Sequence, residues 1–127
     1  MNQPLAILSL PWPPSVNTYY RTIVVGGRGR TLLSQRGREY QAEADAAIGA
    51  VTTKLTQRLC VGLLLFAPDR RKRDLDNHSK AILDALEHAG VYENDEQIDR
   101  LIITRREIVK GGRADVVISA IGTEAAA

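Results

Sequence analysis

Between Arg70 and Lys80 the chain sets side chains of opposite purpose next to one another. Arg70, Arg71, Lys72 and Arg73 form a run of cations, and Asp74 and Asp76 follow, separated only by Leu75. Cations alone would suit a polyanion, and carboxylates alone would suit a divalent metal. One reaction needs both. Phosphodiester cleavage uses a metal to generate hydroxide and to stabilise the leaving oxygen. It also needs the polyanion held close although the aspartates repel it. Flanking cations offset that repulsion and neutralise phosphates on either side of the cut. The bland reading of Arg70 to Arg73 is a solvated basic loop or a localisation-like patch, and the residues alone leave both readings open.

A third carboxylate would improve a metal site. Val91 to Ile98 is dense with acids: Glu93, Asp95 and Glu96. If that segment folds back beside Asp74 and Asp76, Asp95 joins them, and hard oxygen ligands suit Mg²⁺ or Mn²⁺. The competing reading is a solvated acidic surface. Asp76 also suits a helix N-cap, which explains Asp76 but not Asp74. Lys80 lies one turn past Asp76. It either faces a scissile phosphate or makes an ordinary i,i+4 ion pair with Asp76 or Asp84. His78 and His88 have no partner at ligand spacing and read as surface residues.

The elements that must position these groups follow from pattern. Residues 4 to 10 read as a strand, ended by Pro11-Trp12-Pro13-Pro14, rather than as a signal peptide. Residues 18 to 25 and 30 to 33 read as a hairpin around Gly26-Gly27-Arg28-Gly29. Its arginines, Arg21, Arg28 and Arg30, are candidate DNA contacts, with an ordinary glycine-rich turn as the alternative. Ser34 can cap a helix from Gln35 to Lys54, with Tyr40, Ala44, Ala47, Ile48 and Val51 as its apolar stripe. Residues 58 to 66 are nearly all apolar, as in a central strand buried on both faces. A second helix is expected from Asp76 to Ala89, with Gly90 ending it. Ile82, Leu83, Ala85, Leu86 and Ala89 fall on one side of it; Asp76, Asn77, Lys80, Asp84 and His88 fall on the other. Residues 97 to 109 form a strand, Gly111-Gly112 a turn, 114 to 121 the last strand, and 122 to 127 a frayed tail.

This order predicts an α+β fold, a single mixed β-sheet with two main helices, as one domain over residues 1–127. The 127 residues, 44% hydrophobic and 25% charged, suit one soluble core. No apolar run approaches the ~20 residues of a membrane span. Cys60 is the only cysteine, so no internal disulfide is possible, and its apolar neighbours make it a small buried hydrophobe. A cytoplasmic setting fits that. A net charge of +2 hides clustering: most of the seventeen cations are arginine, gathered at 21–38, 70–73, 100–106 and 110–113. The clustering, not the total, points to nucleic acid.

The same residues also resemble a known family. Arg73-Asp74-Leu75-Asp76-Asn77, then Lys80, Asp84-Ala85-Leu86, Gly90, and Asp95 with Gln97-Ile98 are similar to the RusA Holliday-junction resolvases. Pro11-Trp12-Pro13-Pro14-Ser15, Asn17, Tyr20 and Arg21 match that family's opening motif, and Lys110-Gly111-Gly112-Arg113 fits its closing one. The resemblance implies a homodimeric, magnesium-dependent endonuclease, bacterial or phage-encoded, with Mn²⁺ as a possible substitute. Such enzymes bind four-way DNA junctions in recombination and repair, and cut them in symmetric pairs that leave ligatable nicks. It implies that Asp74, Asp76 and Asp95 are catalytic and bind the metal, and that Lys80 is catalytic. Arg70, Arg71, Lys72, Arg73 and Asn77, with the hairpin arginines, are then the candidate DNA contacts. One departure stands out: many members have two adjacent acids where this chain has Asn94-Asp95. Three rivals remain: a branched-DNA binder that does not cut, a less selective metal-dependent nuclease, and a small interaction domain without chemistry.

Overall fold

The computed structural model describes residues 3–123. In chain order it contains β1 (Ala6–Pro11), α1 (Val16–Tyr19), β2 (Tyr20–Val25), β3 (Arg28–Leu33), α2 (Gln35–Ile48), β4 (Leu59–Phe66), α3 (Ser79–His88), β5 (Ile98–Arg105) and β6 (Arg113–Ala120). Short 3₁₀ turns at Leu75–His78 and Asp95–Gln97 flank α3. The main sheet runs β1-β6-β4-β5, antiparallel except for the parallel β4–β5 pair. The mixed sheet is as expected, but the hairpin does not join it: β2 and β3 form a separate two-stranded ribbon.

Alternation along the central strands builds the core. Leu59, Val61, Leu63 and Leu65 of β4 face the same way as Ala114, Val116 and Ile118 of β6, and all are buried. Tyr40 and Ala44 of α2 and Ala81, Ile82, Ala85 and Leu86 of α3 close over that face. The α3 set recurs at helical spacing, as an amphipathic helix requires. Cys60 is buried as expected, 5% exposed. Parallel strands cannot be joined by a tight turn, so the chain leaves β4, crosses through α3 and returns as β5. That crossover carries the chemically interesting residues.

Boundaries differ from expectation for local reasons. Ser34 does cap α2, its hydroxyl accepting from the Gly37 amide at 2.9 Å, worth about 1 kcal/mol. Gly37 is needed there because a Cβ would lie 2.4 Å from the Tyr19 carbonyl oxygen, where ribbon root and helix touch. The helix stops at Ile48, not Lys54, because Gly49 takes φ 75°. Val51 therefore lies beyond the helix and Ala47 is exposed, so neither belongs to its buried stripe. The ribbon turns on Gly26 and Gly27 alone, both at positive φ, as a two-residue hairpin loop demands. Arg28 and Gly29 are thereby in the strand. β5 ends at Arg105 rather than 109. The last residues of the expected tail, 124–127, lie outside the described residues. Among the described residues no helix is long and apolar enough to cross a membrane.

Candidate active site and nucleic-acid interface

The loop after β4 is organised by a residue that the sequence reading passed over. Asp69 accepts from the Arg71 amide at 3.0 Å and pairs with the Arg73 guanidinium at 2.8 Å. The first of these contacts is the main reason its carboxyl is held below the usual carboxylate range. Arg73 also donates to the Asp69 carbonyl, and its guanidinium stands 5.6 Å from the centroid of the Trp12 ring. Its side chain is only 17% exposed. Arg105 donates to the Arg73 carbonyl at 3.0 Å, tying the loop to the end of β5. The four cations therefore divide. Arg73 turns inward and Arg71 is loosely paired with Asp69, while Arg70 and Lys72 stand exposed with no hydrogen bond or ion pair among the described residues.

Asp74 and Asp76 are exposed, and neither carboxylate has a hydrogen bond or ion pair among the described residues. Their backbones are held instead. The Asp74 carbonyl accepts from the Asn77 amide at 3.2 Å and the Asp76 carbonyl from the Ser79 hydroxyl at 3.0 Å. Asp76 is not the helix N-cap: it lies inside the 3₁₀ turn that precedes α3, and its side chain caps nothing. The tighter 3₁₀ turn moves the start of the helix three residues on. Asn77 is half-buried on the same turn.

Asp95 is placed by a different set of contacts. Asn94 caps the 3₁₀ turn Asp95–Gln97: its side chain accepts from the Glu96 amide, and the Gln97 side chain accepts from the Asn94 amide. Asn94 thus does a structural job here. Gln97, buried, also accepts from the Glu93 amide and donates to the carbonyls of Leu55 and Gln57. Glu87 accepts from the Asp95 amide at 2.8 Å. Lys80 reaches from the start of α3 to Asp84 at 2.9 Å and to Asp95 at 3.4 Å. The other oxygen of Asp84 accepts from the Tyr20 hydroxyl at 2.6 Å. Asp84 is the main reason the Lys80 ammonium is held well above its usual range, firmly protonated. Of the two partners open to Lys80 at helical spacing, the structure chooses Asp84.

The two histidines part company. His78 is buried, not a surface residue, with its ring 4.9 Å from that of Trp12 and Nδ1 3.1 Å from the Pro13 carbonyl oxygen. Burial pushes its pKa down. His88 is half-exposed, its Nε2 3.5 Å from an Asp45 carboxylate oxygen. On the ribbon, Arg28 pairs with Val25, Arg30 with Ile23 and Arg21 with Leu32. Alternation puts all three arginines on one face, opposite the face of Tyr20, and all are exposed.

Among the described residues no three His, Cys, Asp or Glu side chains are gathered closely enough to hold a metal. Asp95 lies with Lys80 and Asp84, and Asp74 and Asp76 stand on the turn before them. The donor chemistry nevertheless fits a hard cation. Four carboxylate oxygens of Asp74 and Asp76 are uncommitted, and magnesium is ordinarily held by one or two carboxylates together with substrate phosphates.

Fold and site together define a small α+β protein that offers uncommitted carboxylates between cations, a surface suited to a polyanion and a divalent ion at one place. The sequence family described as endodeoxyribonuclease RusA matches residues 11–119. A crossover junction endodeoxyribonuclease RusA from Shigella sonnei (strain Ss046) is 37% identical over 119 residues, spanning 92% of this chain and 96% of the relative. A protein of the same name from Escherichia coli (strain K12) matches equally well. One from Enterobacteria phage HK97 is 38% identical over 113 residues, 87% of this chain and 90% of the relative. The chain belongs to the RusA endodeoxyribonuclease family.

Proposed function

We propose that this chain is a structure-selective, magnesium-dependent endodeoxyribonuclease that resolves four-way DNA junctions by paired symmetric cuts. The observation that carries the reading is the pair of carboxylates without a partner among the described residues, Asp74 and Asp76, set beside the cations Arg70 and Lys72, which also have none there. It is supported by bacterial and phage relatives named crossover junction endodeoxyribonucleases that match nearly the whole chain.

Asp74 and Asp76 are the residues that would hold Mg²⁺ or, in its place, Mn²⁺; Asp95, which lies with Lys80 and Asp84 here, would serve as the third carboxylate only if metal and DNA drew it toward them. When bound, such an ion lowers the pKa of its water and offsets charge on the leaving oxygen. Lys80 presents a fixed positive charge to the scissile phosphate, and Asp84 and Tyr20 hold it in place. Arg70, Arg71 and Lys72 neutralise phosphates beside the cut. Arg73 braces their loop, Asn77 flanks the aspartates, and Arg21, Arg28 and Arg30 grip an arm of the junction. The chain acts as one domain and as a homodimer, because a two-fold junction cut at two equivalent points needs two equivalent sites. Its setting is the cytoplasm of a bacterial cell, whether the gene is the host's or a phage's.

Incubation of the protein with synthetic four-way junctions, flaps and linear duplex in Mg²⁺, with the cuts mapped, tests this. Paired cuts at symmetric positions in the junction are expected. Binding without cutting under several metals would assign the chain to branched-DNA recognition alone. Equal cutting of all three substrates would make it an unselective nuclease. No DNA affinity at low salt would leave only an interaction domain.

A further inference from the structure

A cavity of about 250 Å³ lies beside Asp74, between the loop after β4 and the end of β5. Its apolar lining includes Trp12, Leu65, Leu75 and Ile108, and Arg70 and Arg105 are among the cations around it. We infer that it seats one unstacked nucleobase of the DNA strand whose phosphate lies at Asp74. The inference deepens the proposed junction-cutting function and rests on it.

Size comes first. Sites for drug-sized ligands occupy roughly 300–1,000 Å³, so this cavity suits a single ring system rather than a larger molecule. Its chemistry is divided in the way a nucleotide is divided. Its guanidinium groups, Arg70, Arg71, Arg105 and Arg106 among them, suit phosphates, whereas its apolar wall suits a base, which offers an apolar face and stacks on aromatic or aliphatic side chains. The phosphates on either side of that base would meet Arg70 and Arg105.

Two apolar side chains remain uncovered here: Leu75 is 36% exposed and Ile108 is 47% exposed. The wall is also rigid. Trp12 carries the Arg73 guanidinium 5.6 Å from its ring centroid, the His78 ring at 4.9 Å, and Gly112 against its base. A Cβ at Gly112, where φ is +71°, would sit 2.8 Å from the Trp12 Cβ, so the glycine turn can close on the tryptophan only without a side chain. A seat built in advance lowers the ordering cost of binding. Unstacking is cheapest where a base is already poorly stacked or unpaired, which is the condition at a point of strand exchange. A base seat beside the carboxylates would therefore favour a branch point over continuous duplex.

The test combines base removal with pocket filling. Junctions are made with an abasic site at each nucleotide in turn around the mapped cut, and are cut by the unaltered protein and by Ile108→Trp, in which the exposed Ile108 is replaced by a ring aimed at the cavity. Base stacking in such sites supports an expected loss of about tenfold in cutting rate when the one seated base is removed. Ile108→Trp is expected to cut the intact junction about tenfold more slowly and to be indifferent to that same base removal, as coupled sites should be. Uniform cutting at every abasic position, or a sensitivity that persists unchanged in Ile108→Trp, overturns the pocket while leaving the nuclease standing. A protein that cuts no intact junction removes the nuclease reading and the pocket with it.

Discussion

Two neighbouring regions both carry acids and cations and treat them oppositely. On α3 and the turn after it, each charge has a protein partner: Tyr20 holds Asp84, Asp84 holds Lys80, and Lys80 reaches Asp95. On the loop and turn before α3, Arg70, Lys72, Asp74 and Asp76 have uncommitted side-chain ends among the described residues, although the backbones of Asp74 and Asp76 are held. Exposed ion pairs add little stability, so the tied cluster is better understood as a device for holding one ammonium in position. The untied groups stand ready for something outside the chain. Positioning and reception are thus separated along the sequence by only a few residues.

The largest expected effect comes from breaking the receiving side. Asp76→Asn keeps the fold, because that side chain caps nothing, and should lower junction cutting at least about a hundredfold while junction affinity is preserved in a gel-shift titration. Loss of affinity in step with cutting would place Asp76 in DNA binding instead. The next effect comes from untying the positioning side. Asp84→Asn should slow cutting by about tenfold, the scale at which orienting partners act. Removing the anion that chiefly holds Lys80 protonated must also lower the lysine's pKa. The alkaline limb of the rate profile should therefore move to lower pH, a shift that a purely structural Asp84 would not produce.

A third change sharpens the division among the cations. Replacing Arg70, Arg71 and Lys72 with alanine should weaken binding and flatten its salt dependence by up to about 0.9 in log–log slope per lost phosphate contact. An unchanged slope would remove that loop from the interface. The smallest effect is expected at Asn94→Asp, which creates the adjacent pair of acids that the family resemblance leads one to expect. Asparagine and aspartate cap about equally well, so thermal stability should shift by less than about 0.5 kcal/mol. A large rise in cutting would instead show that a second acid contributes directly.

Much of the scaffold could be read from the chain because its signals are local. Alternation or apolar continuity marked β4 and β6, helical spacing marked the buried side of α3, and Ser34 and Gly90 marked helix ends. The errors arose where a distant residue or a single glycine decided the outcome. His78 looked exposed because its surroundings, Trp12 and Pro13, are 65 or more residues away in sequence. Gly49 ended α2 before an apolar pattern that would have carried it further. The site was legible in part. Asp74, Asp76 and Lys80 stood out by type and spacing. Asp69 was absorbed into a charged loop, and the Gln97 hub depends on backbone groups at Leu55 and Gln57 that no spacing rule connects to it. Asp84 was visible at i+4 from Lys80, but its second bond, to Tyr20, spans 64 residues and needed coordinates.

One feature of β4 bears on how the molecule can be observed. The only thiol, Cys60, is 5% exposed within the sheet, so spin-labelling reagents have little access to it. A nitroxide on Thr31→Cys, an exposed ribbon position, would report almost alone. In a two-fold assembly it would give a single echo distance between ribbons, and that distance would show how far they part when DNA arrives.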